Sequence, residues 1–198
     1  MKIVLCGPPH SGKSCLRYGL KEAIKALVSL PYPYVITACP DGEGSWYQET
    51  AGEHLDLAQT LKMANKKAFT EAQATIMGEW VKNCENPLVL VDIGGIPDDK
   101  NEIICAHATH AIMISGDLRH LEEWRDFCAK LGLVIIAEIY SDYCGVEDKS
   151  LQLCADGVYR GTVHYLERGD MSVQYRPAVM ELAEILLRRA EEETNERL

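Results

Sequence analysis

Lys2-Ile3-Val4-Leu5-Cys6-Gly7-Pro8-Pro9-His10-Ser11-Gly12-Lys13-Ser14-Cys15 decides how this chain is read. The stretch from Lys2 to Cys6 is a short apolar run of strand type. Residues 7–14 satisfy G-x-x-x-x-G-K-[ST], the phosphate-loop pattern. Gly7 and Gly12 let backbone amides close around phosphate oxygens without side-chain clash. Gly7, Pro8, His10, Ser11, Gly12, Lys13, Ser14 and Cys15 are thus the expected cradle, a concave nest for anions. Lys13 supplies a point charge for the β and γ phosphates, and Ser14 a hydroxyl for magnesium. A helix beginning near Gly12 turns its positive end toward the same phosphates. Leu16, Leu20, Ala23, Ile24, Leu27 and Val28 recur at helical spacing after the loop, so strand, loop and helix stand in the order the chemistry needs.

The chain has 198 residues and is 47% hydrophobic, enough for one domain with a sizeable core. No apolar span is long enough for a transmembrane helix, and the first strand leaves no room for a signal peptide. A cytoplasmic protein without membrane contact is expected. The formal net charge of −10 argues against general DNA or RNA binding, which needs basic surface. The eight cysteines form no C-x-x-C pair and read as reduced core thiols. Cys105, His107 and His110 match no zinc spacing.

Beyond the first helix, apolar strands alternate with amphipathic helices. Strands are expected at Tyr34–Cys39, Leu88–Val91, His110–Ser115 and Leu133–Tyr140. A helix is expected from Glu53 to Lys82, broken at most once, with Leu57, Leu61, Ala64, Ala68, Ala72 and Ile76 inward. Further helices should cover Asp98–Ala106, Asp117–Leu131 (Leu118, Leu121, Trp124, Phe127 and Cys128 inward) and Pro177–Glu193. Gly157–Leu166 is a strand or a hairpin arm after a loop, and Glu167–Asp170 a turn. The expected fold is α/β, a three-layer P-loop NTPase sandwich with a mostly parallel sheet, in a single domain over residues 1–198.

In such a sheet, ligands sit at the carboxyl ends of the strands. Asp92 follows four apolar residues and suits either a magnesium ligand or a capping aspartate. Asp92-Ile93-Gly94-Gly95 also has the D-x-x-G form, in which the Gly95 amide can sense a γ-phosphate. Asp41, in Pro40-Asp41-Gly42, either orients an attacking water or hydroxyl or merely forms a turn. Glu43 and Trp46 share that loop, and Trp46 either stacks on substrate or packs beneath the loop. Arg17, Arg119, Arg160 and Arg168 are candidates for transition-state charge, against the plainer reading of surface arginines.

The loop Gly7–Ser14, Ala38-Cys39-Pro40-Asp41-Gly42-Glu43-Gly44, Val91-Asp92-Ile93-Gly94-Gly95 and Leu166-Glu167-Arg168-Gly169 together resemble the AAA-like P-loop domain fused to some CRISPR-associated ring nucleases. The resemblance runs from Ile3 to about Leu186. Those fusions cleave cyclic oligoadenylate; this chain starts at the P-loop strand, so that cleavage does not carry over. The motif order is more similar to the kinase and MinD-type branch of P-loop proteins. Two functions are therefore expected as alternatives. One is a magnesium-dependent ATP hydrolase or small kinase, with Lys13, Asp41 and Asp92 catalytic and a nucleotide or oligonucleotide as acceptor. The other is a nucleotide-dependent switch that forms a homodimer or controls a CRISPR-associated partner.

Overall fold

Strand β1 (Lys2–Cys6) feeds two cores at once. Ile3 and Leu5 join one hydrophobic cluster while Val4 and Cys6 join the other, because successive side chains of a strand leave opposite faces. Both clusters are buried, so the strand reads as a continuous apolar run, as a parallel strand covered on both sides should. The computed structural model describes residues 1–28, 33–38 and 69–195.

Along the chain, β1 is followed by α1 (Lys13–Leu27), β2 (Tyr34–Thr37), α2 (Glu71–Asn83), β3 (Val89–Asp92), α3 (Asp99–Cys105), β4 (His110–Ser115), α4 (Leu118–Leu131), β5 (Val134–Asp142), β6 (Lys149–Leu153), β7 (Tyr159–His164), a 3-10 turn at Val173–Tyr175 and α5 (Pro177–Asn195). The seven strands form one sheet in the order β2-β3-β1-β4-β5-β7-β6. All neighbours are parallel except β6 and β7. Helices α1 and α5 cover one face with Leu16, Leu20, Ile24, Val179, Leu182 and Leu186. Helices α2, α3 and α4 cover the other with Ala74, Val81, Ile104, Leu121, Trp124 and Phe127. This is the expected three-layer arrangement. None of the described helices is long and apolar enough to cross a membrane.

The parallel strands end toward one edge, with β4 running two residues past its last pair with β1, Cys6 with Met113. Leu5 and Thr37 both pair with Asp92, and Ser115 pairs with Tyr140. The P-loop, the residues after Asp92 and those after Ser115 therefore leave the same edge of the sheet.

Several expectations need correction. Helix α2 starts at Glu71, behind a capping box in which Thr70 and Gln73 exchange hydrogen bonds, which is compatible with one break in the expected Glu53–Lys82 helix; its inward face is what changes. Its inner residues are Ala74, Gly78 and Val81, not Ala72 and Ile76; Ile76 is 62% exposed. The cause is close approach to α3: a Cβ on Gly78 would lie 2.7 Å from the Ile103 carbonyl oxygen, so the smallest residues face inward. The earlier part of that expected helix, with Leu57, Leu61, Ala64 and Ala68, lies outside the described residues. Leu118 opens α4 and is exposed rather than inward, whereas Leu121, Trp124, Phe127 and Cys128 are buried. The loop before Gly157 contains β6, an edge strand whose mostly exposed residues leave no apolar alternation. The described cysteines are free thiols but not all core residues: Cys6, Cys15, Cys105 and Cys128 are buried, Cys84 and Cys154 half-buried and Cys144 exposed, and no cluster of metal-binding side chains forms among the described residues.

Across β5 and β7 the sheet carries a buried carboxylate. Glu138 accepts from Arg125 (2.7 and 2.8 Å) and from Arg160 (2.8 Å), tying α4 to both strands. Burial pushes the Glu138 carboxyl up, but the two guanidinium groups outweigh it and hold it below its ordinary value. Both arginines remain more than a third exposed, so Glu138→Gln should cost about 2 kcal/mol in urea unfolding, less than for a fully enclosed pair. A depressed carboxylate contributes stability above its unfolded pKa and loses it as pH falls through the folded one. The gap between wild type and Glu138→Gln should therefore close below about pH 4.

Candidate nucleotide site

The site begins where β1 stops. Gly7 leaves the strand so close to β4 that a Cβ there would lie 2.0 Å from the Ile114 carbonyl oxygen. Gly12 has φ +90°, in the left-handed region, and a Cβ on it would meet Leu166 at 2.7 Å. His10 is also left-handed at φ 62° and exposed. The loop between them is closed by Ser11 N–H donating to the Pro8 carbonyl at 3.3 Å. Helix α1 starts at Lys13 with no side-chain cap and no acidic residue in its first turn. The positive end of the helix thus faces the loop without a carboxylate of its own first turn to offset it.

Lys13 is buried, and its Nζ donates to the carbonyls of Gly7 (2.8 Å) and Pro8 (3.1 Å). The ammonium thus sits over the loop it would share with phosphate oxygens. Ser14 Oγ donates to Asp92 Oδ2 at 3.4 Å, across the gap from α1 to β3. The same oxygen faces Arg17, whose Nε lies 3.1 Å away as an ion pair not aligned as a hydrogen bond. Arg17 is 1% exposed, and its Nη2 is buried without a hydrogen-bond acceptor.

The D-x-x-G turn closes onto the P-loop. A Cβ on Gly95 would lie 2.6 Å from Pro9 N and under 3 Å from the proline ring. Asn101, buried at the start of α3, holds this turn from behind. Its Nδ2 donates to the carbonyls of Gly94 (3.3 Å) and Ile96 (2.6 Å), and its Oδ1 accepts from Gly94 N–H (3.2 Å). Asp98 caps the helix by accepting from Asn101 N–H at 2.9 Å.

Of the residues expected at the site, the structure brings together Gly7, Pro8, Ser11, Gly12, Lys13, Ser14, Cys15, Asp92 and Gly95. Cys15 is buried, so its contribution to the cradle is its backbone. Arg119 is exposed and paired with Asp117 at 2.6 Å, an attachment within its own helix start. That pairing holds Asp117 at about 2, well below the usual carboxylate range. Arg160 belongs to the Glu138 network instead. Arg168 is exposed in the turn after β7, though its neighbour Leu166 packs on Gly12. Asp41, Glu43 and Trp46 lie outside the described residues. The sequence reading missed Asn101, whose only signal is the D-x-x-N spacing from Asp98, and it did not pair Arg17 with Asp92.

Ser14 and Asp92 are one hydroxyl and one carboxylate. That set suits magnesium in phosphate sites, where the ion keeps waters and substrate oxygens as its other ligands. The fit is partial, because Arg17 already stands on the carboxylate oxygen that faces Ser14.

The fold is that of P-loop nucleotide-binding proteins. The sequence matches no protein-family model and no curated protein. Among solved structures, the chain is similar to a plasmid partition protein of Borrelia burgdorferi bound to AMPPNP, at 14% identity and a TM-score of 0.62 over 95% of this chain and 98% of that one. A second structure of a Borrelia burgdorferi plasmid partition protein gives 13% identity and 0.61, with the same coverage. A nucleotide-binding protein of Archaeoglobus fulgidus in complex with ADP gives 10% and 0.50, over 93% of this chain and 88% of that one.

Asn101 satisfies three buried or half-buried backbone groups at once. Asn101→Ala should lower stability by about 2 kcal/mol in urea unfolding, since the orphaned Gly94 amide and carbonyl keep their desolvation cost. Asn101→Asp retains the acceptor but turns a buried carboxylate oxygen toward the Gly94 and Ile96 carbonyls, so at neutral pH it should cost at least as much as Asn101→Ala.

Proposed function

We propose that this chain binds ATP on Gly7–Cys15 and acts as a nucleotide-dependent switch with slow hydrolysis. The carrying observation is the contact of Gly95 with Pro9, backed by the Asn101 clamp. Through it, a γ-phosphate on the P-loop would meet the residues that lead into α3. The nucleotide named in two of the similar structures, AMPPNP in one and ADP in the other, supports the choice of ligand.

Lys13 would exchange the Gly7 and Pro8 carbonyls for phosphate oxygens, and the positive end of α1 would face the same oxygens. Ser14 and Asp92 would hold magnesium, which when bound neutralises charge on the β and γ phosphates. Asp41 is the candidate to orient water. Ordering of the Gly94–Ile96 turn against a γ-phosphate would bias α3, and through it α2, whose Gly78 touches the Ile103 carbonyl. The output of such a switch is a dimer or a bound partner protein. With a net charge of −10, the chain is a poor direct carrier of DNA. A role beside a CRISPR-associated nuclease rests on the sequence resemblance alone and adds nothing to this reading.

Hydrogen exchange tests the switch. Amides of residues 94–101 should exchange more slowly with ATP than with ADP, and Lys13→Ala should remove the difference along with ATP binding. Equal exchange at saturating ATP and ADP would refute the switch. In parallel, γ-phosphate label should appear slowly as free phosphate; its transfer to a soluble acceptor would make the protein a kinase instead.

A further inference from the structure

The pairing of Arg17 with Asp92 is the least expected contact at this site. Arg17 is a fully buried guanidinium one turn beyond Ser14, on the carboxylate that a P-loop site reserves for its metal. Among the described residues, Lys13 and Arg17 bring two positive charges beside the one carboxylate of Asp92. The balance of hydrogen bonds leans the same way. Arg17 Nη2 is buried with no acceptor. A cation arriving at Asp92 would compete with Arg17 for its one ion-pair partner. An anion arriving nearby would instead be attracted by both Lys13 and Arg17. Burial strengthens these terms, because a low-dielectric setting screens charge weakly.

We propose that Arg17 is the resident counter-ion of Asp92 and sets the magnesium requirement of nucleotide binding. This rests on the ATP-site reading above and deepens it. With Arg17 in place, Asp92 is already neutralised, and the triphosphate meets Lys13 without a bare carboxylate beside it, so no metal is needed to offset one. ATP therefore binds nearly as well in EDTA as in magnesium. Without Arg17, Asp92 becomes a bare buried carboxylate beside the phosphates, and binding depends on magnesium to offset it.

The test is equilibrium binding of a fluorescent ATP analogue to the full chain, in EDTA and in magnesium. For wild type the two dissociation constants should agree within about threefold, and for Arg17→Met the EDTA value should exceed the magnesium value by about tenfold or more. Arg17→Lys keeps the charge and should behave as wild type. Arg17→Met/Asp92→Asn removes both charges and should return the ratio to about threefold. The double variant also separates the charge effect from misfolding, since it leaves no unpaired ion buried. A wild-type ratio above about tenfold, or an Arg17→Met ratio equal to that of wild type, would overturn the role of Arg17 while leaving the ATP site standing. Absence of binding to wild type in both buffers would overturn the ATP-site reading itself, and this inference with it.

Discussion

The P-loop lies against three neighbouring segments at the carboxyl edge of the sheet more closely than a Cβ would allow, and the rest of the site depends on that approach. The exit of β1 presses on the end of β4 at Gly7 and Ile114. The first turn of α1 presses on the segment after β7 at Gly12 and Leu166. The turn after β3 presses on the P-loop at Gly95 and Pro9. Each contact would be blocked by a single methyl group. The nest that can hold phosphate is thus a product of tertiary closeness, made possible by residues with no Cβ.

That closeness also concentrates charge. Lys13, Ser14, Arg17 and Asp92 converge from α1 and β3 in space that water barely reaches. A buried ion pair contributes little net stability, because the desolvation of both partners offsets their attraction. The value of Arg17 and Asp92 to the fold is therefore small, and the pair makes better sense as part of the binding chemistry. It leaves a guanidinium arm unsatisfied, a cost that a structure selected for stability alone would avoid.

From the P-loop a continuous set of contacts runs outward. Pro9 touches Gly95, Asn101 clamps the Gly94–Ile96 turn, Asn101 begins α3, and Ile103 of α3 meets Gly78 of α2. The links are backbone contacts, a proline ring and the short Asn101 side chain fixed by three hydrogen bonds, so little slack separates one end from the other. Apart from this series of contacts, the Glu138 network ties β5 and β7 to α4.

The P-loop, α1 and the central strands were legible because their constraints are local or continuous. A motif with fixed spacing prints its own geometry, and a strand buried on both faces prints an unbroken apolar run. The capped starts of α3 and α4 at Asp98 and Asp117 were likewise readable from a few adjacent residues. The inner face of α2 was not, since Ala74 and Gly78 are inward only because α3 comes close enough to require small residues. Strand β6 escaped notice because an exposed edge strand needs no alternation. The pairing of Arg17 with Asp92 and the clamp of Asn101 on Gly94 join residues of different elements, and no periodicity records which groups the sheet will bring face to face. Sequence by itself determined the phosphate loop and the layered α/β class, where each residue's task is met by its neighbours in the chain. Tertiary structure alone decided the charge balance and the couplings of the site, because those depend on distances set by packing.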